Sequence, residues 1–251
     1  MTSLPFKRAV LAGFLTLFLS AEPASGYINL QDCGGFCPDC VPPCDYPFSE
    51  YCSPILIDIS GAGFHLTDAQ HGVQFDIAGN SKPVQIAWTA PGAMNAFLVL
   101  DRNGNGIIDN GKEMFGNFTN QPPSPDPNGF AALAEFDMPE NGGNGDGLID
   151  DRDAIFTSLR LWIDKNHDGI SQSDELFTLP MMGVHSISLS YRDSRRRDQY
   201  GNLFRYRSVV NVLERRHSEV GPAAYDVFLP ATALKQLMLP LSHHSRCCNT
   251  K

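Results

Sequence analysis

The chain has 251 residues, of which 42% are hydrophobic and 19% charged, and its formal net charge at pH 7 is −9. This hydrophobic content suffices for a folded core, and the acidic balance argues against nucleic acid as a partner, because phosphates repel an acidic surface. After the N-terminal segment no apolar stretch is long enough to cross a bilayer, so the mature form is predicted to lack a membrane span.

The first 26 residues have the pattern of a secretory signal peptide. Lys7 and Arg8 precede an apolar run over residues 9–21, and small residues follow at Ala24 and Gly26. A membrane anchor is the alternative, but the apolar run is short for that role. We therefore predict a secreted protein, placed outside the cell or in a periplasm.

Residues 27–53 form a segment rich in cysteine and proline. It holds five of the seven cysteines, which are Cys33, Cys37, Cys40, Cys44 and Cys52. In an exported protein this crowding favours disulfide bonds, with zinc binding through Cys37 and Cys40 as the alternative. Because five is an odd number, one of them either pairs with Cys247 or Cys248 or stays free.

Two β-rich regions are predicted, over residues 54–100 and 184–230. Runs such as ILID, FLVL and YDVFL are rich in β-branched and aromatic residues, and Gly, Asn and Asp separate them. This is the pattern of short antiparallel strands joined by turns. The tail over 231–251 is weakly patterned.

The region between them, 101–183, is predicted to contain short helices. The clearest spans 152–163, where five apolar residues from Ile155 to Ile163 fall on one helical face. Shorter helices are expected at FAALAEF (130–136) and near Ser173. The predicted fold class is therefore α+β, with small antiparallel sheets flanking a short helical insert.

The same region concentrates the acidic residues, with 15 acidic and 5 basic side chains over residues 101–175. Carboxylates at this density repel one another unless a cation is bound. Most of them lie in three aspartate-rich loops, which we name loop 1 (101–113), loop 2 (137–153) and loop 3 (164–175). These loops are the candidate metal sites.

Loop 3, DKNHDGISQSDE, has the complete spacing of a twelve-residue calcium loop. Gly169 permits the bend at position 6, and Ser171 departs from the apolar residue usual at position 8. Positions 1, 3, 5, 7, 9 and 12 provide oxygen ligands, position 7 through its backbone carbonyl: Asp164, Asn166, Asp168, Ile170, Gln172 and Glu175.

Loop 1 is similar but stretched, because its final carboxylate arrives at position 13 instead of 12. With two amides and one carboxylate among the early positions, it is expected to bind calcium more weakly. Its predicted ligands are Asp101, Asn103, Asn105, Asp109 and Glu113.

Loop 2 is irregular, because position 1 falls on Gly142, which has no side-chain oxygen. Asp137 is the substitute if a five-residue insertion from Met138 bulges out. The predicted helix over 152–163 would then separate the sites of loops 2 and 3. The predicted ligands of loop 2 are Asp137, Asn144, Asp146, Leu148 (backbone carbonyl), Asp150 and Asp153.

The stretches LVLDRNGNGIIDNGKEMFG and NGDGLIDDRDAIFTSLRLWIDKNHDGISQSDELFTL resemble secreted bacterial proteins with EF-hand-like or dockerin-like calcium loops. The resemblance covers about residues 54–229. It implies calcium as the cofactor and extracellular binding, but no settled reaction. The three loops differ from one another, unlike the two near-identical dockerin repeats, so cohesin binding is not supported.

The leading functional hypothesis is a secreted calcium-binding protein whose ions order loops 1 to 3. The alternatives are a calcium-stabilised enzyme acting on extracellular polysaccharide, or an adhesion or matrix protein. We predict no catalytic residues, because the carboxylates are accounted for as ion ligands. For the third alternative, the arginines around 192–216 would meet a cell-surface glycan or protein, although a solvated hairpin explains them equally.

Overall fold

The structure is a computed structural model, and it describes residues 51–211 and 222–232. All of these residues lie in one compact unit. The predicted signal peptide, most of the cysteine-rich segment and most of the tail lie outside the described residues. Within the described part no helix is long and apolar enough to cross a membrane.

The described residues are mostly β. The strands are β1 (Tyr51–Cys52), β2 (Ile55–Asp58), β3 (Val73–Phe75), β4 (Val84–Ile86), β5 (Asn95–Val99), β6 (Leu148–Asp150), β7 (Arg160–Trp162), β8 (Leu176–Thr178), β9 (Ser186–Ser188), β10 (Arg192–Arg197), β11 (Leu203–Val209) and β12 (Ala223–Pro230). One α-helix, α1 (Gly129–Ala134), and three 3-10 turns at Gly111–Glu113, Pro139–Asn141 and Pro180–Met182 complete the described elements.

One large antiparallel sheet organises the fold. Its order is β10-β11-β12-β2-β5-β7-β8, and β1 pairs with the end of β12. Two small antiparallel pairs, β3–β4 and β6–β9, contribute side chains to opposite faces of this sheet. The middle strands therefore have protein on both sides.

Burial on both faces explains why the central strands β2 and β5 carry consecutive apolar residues, over 55–57 and 96–99. In β2, Ile55 and Ile57 lie in the core on the first face, whereas Leu56 lies in the core on the second. In β5, Leu98 faces the first core and Phe97 the second. Side chains alternate across a strand, so a sheet covered on both sides needs hydrophobic residues at odd and even positions alike.

Helix α1 covers part of the first face. The Asn128 side chain caps it by accepting a hydrogen bond from Ala131 N, which satisfies one of the free amides of the first turn. Phe130 and Leu133 are fully buried against the sheet. The helix predicted at FAALAEF is thus present, but it has only six residues.

The predicted α+β class with a helical insert is wrong. Residues 151–158 form successive turns and β7 follows, in place of the helix expected over 152–163. The physical reason is that Leu159, Leu161 and Ile163 face the first core while Trp162 faces the second. A strand buried on both sides presents apolar residues that also fit helical spacing. Likewise the helix expected near Ser173 is a turn followed by β8.

Cys52 is the one cysteine among the described residues, and it is buried and disulfide-bonded. No disulfide joins two described residues, because the other six cysteines lie outside them. Apart from Cys52, the predicted disulfide framework of residues 33–52 lies outside the described residues.

Candidate functional site

The central strands lead directly into the aspartate-rich loops. Strand β5 ends at Val99 just before loop 1, and its neighbour β7 ends at Trp162 just before loop 3. Loop 2 contains β6, which pairs with β9. The loops are thus anchored by strands and 3-10 turns, where an EF-hand would place two helices.

The first carboxylate of loop 3 is buried and held by three donors. Asp164 is 1% exposed. Its Oδ1 accepts a hydrogen bond from Asp168 N at 3.2 Å, and its Oδ2 accepts from Gly169 N at 2.9 Å and from Trp88 Nε1 at 2.8 Å. The carboxylate therefore fixes the bend of the loop and anchors it to the core on the second face.

The last carboxylate of loop 3 closes the loop from the other side. Glu175 is buried; its Oε1 accepts from Lys165 N at 2.7 Å, and its Oε2 accepts from Gln172 N at 3.3 Å. Trp162 Nε1 lies 3.4 Å from the same Oε2. The two ends of the loop are held together by this one side chain.

The intermediate positions of loop 3 are more exposed. Asn166 and Gln172 each donate a side-chain N–H to Asp168 Oδ2, at 2.8 and 3.0 Å. Ile170 is 60% exposed, and its backbone N–H is bonded to Asp168 Oδ1. Gln172 Oε1 is buried and has no hydrogen-bond donor. An oxygen of this kind, next to carboxylates, is a chemically suitable ligand for a hard cation.

Loop 1 repeats the scheme of loop 3 despite its extra residue. Asp101 accepts from Gly104 N at 2.7 Å and from Gly106 N at 2.8 Å. Glu113 is buried and accepts from Arg102 N and Asp109 N, at 3.1 and 2.9 Å. The 3-10 turn at Gly111–Glu113 brings the late carboxylate back to the loop.

The side-chain amides of loop 1 converge on its ninth position. Asn105 and Asn103 donate to Asp109 Oδ2 at 2.8 and 3.1 Å. The hydrogen bond from Asn105, reinforced by Asn103 and Asn110, holds the pKa of the Asp109 carboxyl below its ordinary value. This carboxylate is therefore kept in its charged form.

In loop 2 the structure brings Asp137 to the turn across the inserted residues. Its two oxygens accept from Gly145 N at 3.0 Å and from Gly147 N at 2.9 Å. A 3-10 turn at Pro139–Asn141 takes up the insertion. Asp137 thus has the same backbone contacts in loop 2 that Asp101 has in loop 1.

The closing carboxylate of loop 2 is Asp153. It accepts from Asn144 N at 3.2 Å and from Asp150 N at 2.8 Å. Burial raises its pKa, and the nearby charges of Asp137 and Asp150 raise it further. Three carboxylates are therefore close enough to interact electrostatically.

An arginine that sequence reasoning missed lies against loop 2. Arg152 Nη2 is 2.5 Å from Asp146 Oδ2 and 2.6 Å from Asp150 Oδ2. This hydrogen-bonded ion pair lowers the pKa of Asp150. Leu148, at the start of β6, donates its N–H to Asp146 Oδ1. The guanidinium neutralises part of the charge that a cation would otherwise meet.

Loops 1 and 3 are joined through their eighth positions. Ile108 N donates to Ser171 Oγ at 2.6 Å, and both residues are buried. The serine that departs from the calcium-loop pattern thus supplies the contact. Trp88 was also missed by sequence reasoning, because it lies 76 positions before Asp164 and no local spacing links them.

Among the described residues, no group of three or more His, Cys, Asp or Glu side chains is placed to hold a metal ion. The first and last carboxylates of the loops instead accept backbone N–H groups. The EF-hand interpretation is therefore wrong in its geometry, since helices do not flank the loops, and the metal-binding label has no support from this arrangement of side chains.

Residues 55–226 match the SPM domain family, and the chain belongs to this family. A relative is the iron-regulated protein FrpA of Neisseria meningitidis serogroup C, which is 41% identical over 152 residues. That match covers 59% of this chain and 13% of FrpA, so the chain spans a small part of its relative's length.

This family match contradicts the predicted resemblance to EF-hand-like or dockerin-like proteins. The chain is an SPM domain protein, and neither an EF-hand nor a dockerin family is shown. The resemblance rested on three short loops, and such a loop spacing can occur on an unrelated fold.

Proposed function

We propose that this protein binds calcium ions through loops 1 to 3, and that it does so outside the cell or in a periplasm. The observation that carries the proposal is Gln172 Oε1, a buried carbonyl oxygen with no donor at the ninth position of loop 3. Leaving a buried polar atom without a partner costs about 1–3 kcal/mol. A hard cation would satisfy this oxygen, which accepts no hydrogen bond from the described residues.

The hydrogen-bonding scheme shared by the loops supports the proposal. In each loop, backbone amides hold the first and last carboxylates, so these ends are already positioned before an ion arrives. Calcium requires six to eight oxygens, and each carboxylate oxygen has more than one lone pair to offer. In loop 3, Asp164, Asn166, Asp168, Ile170, Gln172 and Glu175 would hold the ion.

The charge balance also supports a cation. Residues 101–175 carry 15 acidic and 5 basic side chains, and one of those bases, Arg152, is paired with two carboxylates of loop 2. Loops 1 and 3 have no comparable internal guanidinium among the described ion pairs. We therefore propose that loop 3 binds most tightly, and that Arg152 weakens binding at loop 2.

Calorimetric titration with calcium tests the proposal on chain lacking residues 1–26. We expect a dissociation constant of roughly 0.1 to 1 mM, the range of extracellular calcium modules. Asp168→Asn should weaken binding to loop 3 by about tenfold or more, because it removes a charged ligand. Magnesium at the same concentration should bind less well, since it prefers a rigid octahedral site.

The matched control is Asp174→Asn, which removes the same charge from the same loop. Asp174 is exposed, lies at position 11 and contacts Lys165 at 3.4 Å. Its substitution should leave the calcium affinity nearly unchanged. Absence of calcium heat, or an equal effect of the two substitutions, would refute the proposal.

A further inference from the structure

An open pocket of about 500 Å³ lies beside the edge of the large sheet, away from loops 1 to 3. Its lining includes the turn after β2, together with Phe64, Arg196 and Tyr225. The proposed calcium function uses none of these residues. The pocket is therefore a separate candidate for ligand binding.

An aromatic cluster with an arginine over it lies at one wall, which Phe64 and Tyr225 line and Phe204 supports from the core. The rings of Phe64, Phe204 and Tyr225 meet edge to face, with centroids 5.2 to 5.4 Å apart. The guanidinium carbon of the exposed Arg196 lies 4.4 Å from the Phe204 ring centroid and within 5.8 Å of the other two. Stacking on rings orders a guanidinium while leaving its N–H edge free to bind an anion.

The carboxylate in this pocket does not neutralise Arg196. Asp58 is buried, and its oxygens accept from Ser60 Oγ, Gly61 N and Gly63 N of its own turn. Among the described residues, Arg196 forms no ion pair with a carboxylate. Its charge is thus available to a ligand.

Strand register places two more arginines on the same face. Arg192 pairs with Arg207, and Arg207 pairs with Tyr225 on its other side. Directly paired residues of adjacent strands project from the same face of a sheet, so all three side chains are neighbours. Like charges in this position repel each other, and Arg207 Nε is buried without a hydrogen-bond partner. Neither arginine forms an ion pair with a carboxylate among the described residues.

We propose that this face, formed by Phe64, Arg192, Arg196, Arg207 and Tyr225, binds a carboxylate-bearing sugar of an anionic polysaccharide. The guanidinium groups would hold the carboxylate in a fork of N–H donors. The partly exposed ring of Phe64 lines the pocket and offers an apolar surface to the C–H groups of a sugar. A pocket open to solvent at a sheet edge accommodates one residue of a longer glycan chain.

The test uses the full chain and titrates it with trigalacturonate, with its neutral methyl ester, and with polyglutamate as an acidic polypeptide. All titrations contain a calcium chelator, so failure of calcium binding and failure of this site are distinguished. We expect trigalacturonate to bind and the ester to bind at least about tenfold more weakly. Binding should weaken as salt is raised, because exposed charges are screened.

Variants locate the site. Arg196→Gln should weaken trigalacturonate binding about tenfold, and Arg196→Lys should recover only part of it, since lysine lacks the planar fork. Lys82→Gln, which removes an equal charge from the exposed β3–β4 turn, should change nothing. Arg192→Gln provides a second variant outside the aromatic cluster, should Arg196→Gln fail to fold.

Three outcomes would overturn the proposal. They are equal affinity for the acid and its ester, equal effects of Arg196→Gln and Lys82→Gln, and a preference for polyglutamate over trigalacturonate. The last result would assign the face to an acidic polypeptide.

Discussion

Asp226 is a carboxyl group enclosed by the fold. It lies on β12, is 0% exposed, and its Oδ2 accepts a hydrogen bond from Gly129 N at 2.6 Å. Its other oxygen is buried without a donor. Burial raises the pKa of Asp226 to about 6, even though the Ser53 hydroxyl, the Gly129 amide and the charge of Arg205 act in the opposite direction. The folded state therefore favours the protonated acid.

The direction of the pH effect follows from this shift. The pKa is about 6 in the folded chain and 3.8 in its reference state, so between these values the folded chain holds a proton that the unfolded chain has released. The contribution of Asp226 to stability is thus fully present below pH 3.8, decreases as pH rises to about 6 and is constant above it.

We expect Asp226→Asn to remove this loss. The difference in unfolding free energy between the variant and the wild type should increase by about 2 kcal/mol, in favour of the variant, when the pH is raised from 4.5 to 7. Urea unfolding at the two pH values measures the difference. Asp193→Asn, an exposed change on β10, is the control and should show no such gain. An equal effect of Asp226→Asn at both pH values would contradict the assignment.

At the scale of elements, the contact between loops 1 and 3 shows how the aspartate-rich region is assembled. Ser171 accepts the buried N–H of Ile108, so one hydroxyl connects two loops that are 63 residues apart at this contact. The connection makes the two loops one structural unit. Loop 2 instead pairs with β9 and belongs to the first face.

Replacing this hydroxyl tests the connection. Ser171→Ala leaves the Ile108 N–H buried without an acceptor, which should cost about 1–3 kcal/mol of unfolding free energy. Ser173→Ala, an exposed change in the same loop, should cost less than about 0.5 kcal/mol. Denaturant unfolding of the two variants compares them. Similar costs would mean that the contact contributes little.

The elements also show where local sequence patterns are informative. Short strands such as β2, β5 and β12 follow from runs of β-branched and aromatic residues, and the polar segment DQYGN lies between β10 and β11. The apolar run that ends at Ile163 fitted helical and strand spacing equally well. Pairing with β5 and β8, which no local pattern reveals, makes it a strand.

At the scale of the whole molecule, the large sheet joins distant parts of the chain. Strand β12 pairs with β2, although Ala224 and Ile57 are far apart in sequence. Calcium-loop spacing is local, so the sequence alone points to the loop residues, and to Asp137 as the substitute for a missing oxygen. Their role as ion ligands stays a prediction. The contacts of Trp88 and Arg152, and the placement of the arginines of β10 and β11 on one face, were not predictable, because they depend on strand order and register.

Calcium should stabilise the whole molecule if the proposed function is correct. An ion that binds only the folded state raises the unfolding free energy by about 2.7 kcal/mol when its concentration is 100 times the dissociation constant. Differential scanning calorimetry with and without calcium should therefore show a higher unfolding temperature, which a chelator reverses. An unfolding temperature that does not respond to calcium would contradict the prediction.

The placement of the two tryptophans has an optical consequence. Trp88 and Trp162 are the two tryptophans of the chain, and they are buried with ring centroids 5.5 Å apart. Their indole N–H groups donate to the first and last carboxylates of loop 3. Indole emission responds to charge beside the ring, and at this separation the two rings exchange excitation. The protein's intrinsic fluorescence therefore reports the charge of the two carboxylates of loop 3. A shift in the emission wavelength need not signal unfolding.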